Sequence, residues 1–151
     1  MLREKQIETK IVEAIAALEP LAGAQVVGSR SVVTIEESSA PVFVAVELGL
    51  RQHDNFTLPT VNMPGVVSIT TRSEMDGDHE AIVEAIAELF TGWHLDAEAM
   101  TEALSVEDVF YAAGLRMDGS SGKSFADTRA AWSEEISFTI RGTLLTTDTQ
   151  N

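Results

Sequence analysis

The stretch from Val66 to Phe90, VVSITTRSEMDGDHEAIVEAIAELF, constrains the fold more than any other part of the chain. Val67 and Ile69 alternate with Ser68 and Thr70, the period of a half-buried strand. Further on, Ile82, Ile86, Leu89, Phe90 and Trp93 recur at helical spacing. A strand over 65–71 that feeds a helix over 78–91 through an acidic turn calls for a sheet with a helix packed on it. Gly92 is placed to end that helix.

The flanking segments extend this pattern. A first helix is expected over 2–18, with Ile7, Ile11, Ile15 and Leu18 on one side and Glu4, Glu8, Lys10 and Glu13 largely on the other. Pro20 sets its end. Gln25–Val27 and Ser31–Ile35 are short strand candidates around a Gly28-Ser29-Arg30 turn. Pro41 opens a strand in which Val42, Val44, Val46 and Leu48 point one way and Phe43 and Ala45 the other. Both faces are apolar, so this strand is expected to be central and covered on both sides. Residues 49–64, polar and interrupted by proline, read as a long connection. Asp96 is placed to cap a short third helix ending at Leu104. The run VFYAAGLRM reads as a strand with Tyr111, Ala113 and Leu115 opposite Phe110 and Ala112. A flexible Gly/Ser-rich loop is expected over 118–128. The cleanest strand is 131–141, where Trp132, Ile136, Phe138 and Ile140 face away from Glu135, Ser137, Thr139 and Arg141. Strands do not alternate strictly with helices. The expected class is therefore α+β, a mainly antiparallel sheet with two main helices packed on one face. One domain over 1–145 and a frayed tail over 146–151 complete the reading.

Charge narrows the partners. The net charge of −14 and the scattering of only ten Lys and Arg leave no evident surface for nucleic acid or an anionic membrane. A solvated acidic surface is the simplest reading, and an acidic wall inside a ring or channel the sharper one. The absence of cysteine excludes disulfides, thiolate metal sites and cysteine nucleophiles. No run approaches the roughly 18 apolar residues that a membrane span needs. MLREKQIETK is charged where a signal peptide would be apolar, so none is expected.

The one tight cluster of acid/base or metal-ligating types is Asp76, Asp78, His79 and Glu80. The later oxygens of a calcium loop and the second histidine of a zinc pair are missing. Capping of the helix by its first-turn carboxylates is the better reading. Gly119-Ser120-Ser121-Gly122-Lys123-Ser124 ends like a phosphate loop, but Met117 stands where the first glycine belongs and no helix follows. His53, His79 and His94 share no ligand spacing, and no serine lies in a nucleophile elbow. Surface or packing roles are expected for these histidines, core positions for Trp93 and Trp132, and no catalytic, metal or cofactor residues. Arg51, Arg72, Arg116 and Arg141, at or near strand ends, are candidates for contact with an acidic surface of a neighbouring subunit.

The layout resembles the tail terminator and tail-completion (minor tail) proteins of long-tailed bacteriophages. The resembling pieces are EKQIETKIVEAIAALEPL, PVFVAVELG, VVSITTRSEMDGDHEAIVEAIAELF and ISFTIRG, which together span most of the chain. The resemblance implies a non-enzymatic structural protein of virion assembly, from a phage or a prophage. It implies a homo-oligomer, a hexameric ring at the end of the tail tube, touching tube and head-completion proteins. The implied location is the virion tail, or the host cytoplasm during assembly. The alternative is a small acidic ligand- or divalent-metal-binding domain that uses Asp76, Asp78, His79 and Glu80.

Overall fold

A computed structural model describes residues 3–28, 41–49, 52–53, 60–72, 76–126 and 130–145. The helices are α1 (Arg3–Ala16), α2 (Asp76–Leu95) and α3 (Ala97–Leu104), with a 3-10 turn at Glu19–Leu21. The strands are β1 (Gln25–Gly28), β2 (Val42–Leu48), β3 (Gln52–His53), β4 (Thr60–Arg72), β5 (Phe110–Ser120), β6 (Ser124–Ala126) and β7 (Ala131–Leu144). They form one sheet in the order β1-β2-β4-β7-β5, with β3 beside β4 and β6 beside β7. Only the β1–β2 pair is parallel. The α+β class, with its mainly antiparallel sheet, is as the sequence implies.

β4 and β7 are the spine, paired without a break from Thr60↔Thr143 to Arg72↔Ala131. β5 also runs antiparallel to β7, so β4 and β5 point the same way with β7 between them. The chain crosses from one to the other through α2 and α3, and β7 fills the gap afterwards. The inner face carries Val44 and Val46 from β2, Val67 and Ile69 from β4, and Ile136, Phe138 and Ile140 from β7, all buried. α1 packs Ile7, Ile11 and Ile15 onto it over β1 and β2, and α2 packs Ile82, Ile86 and Phe90 over β4, β5 and β7. Phe90 stacks on Trp93 at 5.5 Å between ring centroids and meets Phe138 edge-on at 5.1 Å. Burying each such side chain contributes roughly 1.5–3 kcal/mol.

Several expectations change. Both ends of the described part of the connection expected over 49–64 are strand, because β3 continues β2 along β4 and β4 itself begins at Thr60; residues 50–51 and 54–59 lie outside the described residues. Pro64 fits within β4 on the uncovered face, where its carbonyl accepts the Gly49 N–H at 2.7 Å. Within the loop expected over 118–128, residues 118–120 and 124–126 also lie along β7, as the end of β5 and as β6, and 127–128 lie outside the described residues. Ser121 donates its N–H to the Glu135 carbonyl, and its hydroxyl accepts the Glu135 N–H, both at 2.9 Å. That exchange carries the ladder past Gly122, whose φ of 80° is in the left-handed region. A bulge between Ala112 and Gly114 reverses the alternation of β5. Leu115 is therefore buried on the same face as Phe110 and Ala112, not opposite them. Gly92 does not end α2, which runs on to Leu95. A Cβ at Gly92 would meet nothing within 4 Å, and carrying the helix past it buries Trp93. That burial outweighs the roughly 1 kcal/mol glycine penalty.

β2 is flanked by strands on both sides as expected, but only its inner face is buried throughout. On the other, Phe43 is buried, Ala45 half-buried and Glu47 exposed. Asp96 caps α3 as expected, its Oδ1 accepting the Ala99 N–H at 3.1 Å. Glu8 is not on the outer side of α1. It is buried over Gly28, where a side chain would collide with its carboxylate, and Oε2 accepts the Leu48 N–H at 3.1 Å. That N–H lies just past the last β1–β2 pair, Gly28↔Val46, so the carboxylate completes the ladder. Ser31–Ile35 and 146–151 lie outside the described residues.

Candidate functional surface

The first turn of α2 divides the acidic cluster. Asp78 and Glu80 face outward and are exposed, whereas His79 faces the sheet and is fully buried. Asp76 opens the helix, and its side chain lies outside the described part. Glu80 Oε1 is 3.6 Å from Lys123 Nζ, which stands 4.4 Å over the Trp132 ring. His79 Nδ1 lies 2.8 Å from Thr71 Oγ1 and Nε2 lies 3.2 Å from Glu134 Oε1. A carboxylate only accepts, so Nε2 carries a proton. In the neutral ring Nδ1 then accepts the Thr71 hydroxyl proton. Ser120 Oγ donates to the other oxygen of Glu134 at 2.9 Å.

The resulting order is serine, carboxylate, imidazole, threonine. Nucleophilic catalysis needs the base next to the nucleophile. The carboxylate stands between Ser120 and His79; Thr71 does lie beside the imidazole, but the hydroxyl and the imidazole are both fully buried and sealed from solvent. The network ties α2 to β4, β5 and β7. Glu134 has no place in the sequence reading, yet a signal was there: it shares the inward parity of Trp132 and Ile136. Among the described residues no group of three or more His, Asp or Glu side chains is arranged to hold a metal ion. The His53 side chain lies outside the described part. His94 Nδ1 donates to the Leu115 carbonyl at 2.9 Å, on the outer edge of β5.

Two of the four candidate arginines, Arg116 and Arg141, are brought together by the sheet. Arg72, Arg116 and Arg141 all project from the sheet face that no described helix covers, as their register with Ala131, Thr139 and Asn62 requires. Arg51 lies outside the described residues. Arg116 and Arg141 sit inside β5 and β7 rather than at strand ends, because both strands run further than expected. They are neighbours, since Gly114 pairs with Arg141 and Arg116 with Thr139. Arg72 is ten residues away along β7 (141 − 131), or roughly 33 Å at strand rise. Arg116 Nε donates to Asp118 Oδ1 at 2.7 Å, and Thr139 Oγ1 donates to Oδ2 at 2.6 Å. The Thr139 hydroxyl and then the Arg116 guanidinium hold the Asp118 carboxyl below its usual value.

Beside this pair the β5 edge is hollowed. One groove of about 560 Å³ runs from Trp93 and Ala97 past Ala113 to Arg116 and Arg141. A second, of about 520 Å³, lies between Tyr111 and the α3 carboxylates Glu98 and Glu102. Ala97 and Ala113 line both, so the two form one trough. The backbone at its floor is already bonded. Thr101 Oγ1 donates to the Ala112 carbonyl at 2.8 Å, and Ser105 Oγ accepts the Ala112 N–H at 2.9 Å.

The architecture is thus a mainly antiparallel sheet with helices on one face and a largely polar, arginine-bearing face that no described helix covers. No family model and no curated protein matches the chain. Among solved structures that share its fold is a chain of the "Virion of native gene transfer agent (GTA) particle". The match covers 89% of this chain and 90% of that one, with a TM-score of 0.55 and 16% identity. At that identity the likeness is one of fold.

Proposed function

We propose that this protein is a non-enzymatic structural subunit of a phage-type virion. Its finer role is that of a tail terminator, forming a ring at the end of the tail tube and contacting tube and head-completion proteins. The observation that carries this reading is the fold shared with a chain of a gene transfer agent virion over nearly the whole of both chains. The pieces that resemble tail terminators, α1, β2, the β4–α2 unit and β7, build the two packed layers of that fold. His79 supports the non-enzymatic part, being enclosed as a packing element.

The test is recovery from particles. Virions from a strain that encodes the protein are purified and analysed by mass spectrometry and by cryo-electron microscopy of the tail–head junction. The reading expects stoichiometric copies in a ring at that junction, and heads lacking functional tails when the gene is deleted. Wild-type particles that lack the protein, or normal tails without the gene, would refute it.

A further inference from the structure

We infer that the trough along the β5 edge is where a second copy of this chain docks, with Arg116 and Arg141 of one copy facing Glu98 and Glu102 of the other. The inference deepens the proposed role in an assembly and rests on that reading.

Charge segregation is the first argument. The outer surface of α2 and α3 carries exposed Asp78, Glu80, Glu84, Glu88, Glu98 and Glu102, and no Lys or Arg. Two such surfaces repel each other, which disfavours contact of two copies through α2 and α3. On the open face Arg116 and Arg141 provide the opposite sign locally, with Asp118 already bound to Arg116 beside them. At the β5 edge the two signs lie side by side, with Glu98 and Glu102 on the helix side and Arg116 and Arg141 on the sheet side. Such a strip is complementary to a second copy of itself when helix side meets sheet side, an isologous contact that joins copies in pairs and leaves the remaining surfaces for the ring's other contacts.

Apolar exposure is the second argument. Four large hydrophobic residues are exposed among the described residues: Leu95, Tyr111, Phe125 and Leu145. Two of them lie at this strip. Leu95, 78% exposed, projects from the α2–α3 corner beside the first groove. Tyr111, 50% exposed, lines the second. An apolar centre with a charged rim is the usual anatomy of a protein interface.

The manner of contact follows from the backbone. Outward-facing groups of β5 at Ala112 and Leu115 are already occupied by Thr101, Ser105 and His94. The second copy therefore docks through side chains and does not extend the sheet as an added strand.

The test is a charge exchange on the full chain. R116E/R141E makes both sides of the strip acidic, and E98R/E102R makes both basic. Each variant alone should lose the wild-type oligomer, with dissociation constants raised at least tenfold by light scattering and native mass spectrometry. Mixing the two should restore an oligomer in which they alternate. Circular dichroism and thermal melts establish that both variants fold. Retention of the wild-type oligomer by both folded variants, or failure of the mixture to reassemble, would overturn the inference. So would a wild-type chain that stays monomeric up to millimolar concentration. None of these results touches the virion reading, which stands or falls on recovery from particles.

Discussion

Replacing His79 with alanine is the most informative perturbation, because it separates a packing role from a chemical one. The imidazole is fully buried and both nitrogens are engaged. Its removal leaves the Thr71 hydroxyl, itself fully buried, without its partner, at about 1–3 kcal/mol. It also vacates on the order of 60 Å³, which at about 24 cal/mol per Å³ adds about 1.5 kcal/mol. Glu134 retains 14% exposure and its bond from Ser120, so water offsets most of its loss. The sum is about 2.5–4.5 kcal/mol, or a fall in Tm of about 10 °C for a chain of this size. Urea denaturation followed by circular dichroism measures it. A double-mutant cycle with Thr71→Val sharpens the test. Alone, Thr71→Val should cost more than about 1 kcal/mol, and in the His79→Ala background close to nothing. A His79→Ala cost under about 1 kcal/mol, or additive effects in the cycle, would refute the structural account of this network.

The other predictions concern separate parts of the fold. Gly142→Ala should destabilise by about 1–3 kcal/mol or abolish folding, since its Cβ would collide with the Phe110 ring and the Tyr111 carbonyl; thermal melts decide this. Asp118→Asn should be less stable than wild type at neutral pH. The Asp118 carboxyl is depressed in the folded state, so its contribution is present above the unfolded value of 3.8 and lost as pH falls below it. The two chains should therefore converge in stability in acid, as melts between pH 7 and pH 2.5 would reveal. Thr101→Val leaves the Ala112 carbonyl unbonded at the edge, so a loss of about 1 kcal/mol and faster aggregation by light scattering are expected.

Much of the layer structure is legible without coordinates. The stripes Ile7-Ile11-Ile15 and Ile82-Ile86-Phe90, and the alternation through Ile136, Phe138 and Ile140, state which faces are buried. The Asp96 cap depends only on its own neighbours. These are short-range signals, in which side chains a few residues apart share a face. Where pairing partners were distant, the sequence reading went wrong. Gly119 to Ser124 looks like a loop by composition, and only the long partner β7 makes its two ends strand. Leu115 changes face because of a bulge whose cause lies in its register with β7.

The candidate sites follow the same division. The Asp76–Glu80 run showed a concentration of ligand types but not their directions, and one helical turn sends His79 inward and its neighbours out. Glu134 and Ser120 are 55 and 41 residues from His79 (134 − 79 and 120 − 79). Their meeting depends on β7 entering between β4 and β5. The sequence alone determined the alternating and helical faces, the acidity and the α+β class, because each depends on local order or composition. Strand order, register, the buried His79 and Glu8 contacts and the joining of Arg116 to Arg141 needed the tertiary structure. Each depends on groups far apart in the chain that meet only when the sheet closes.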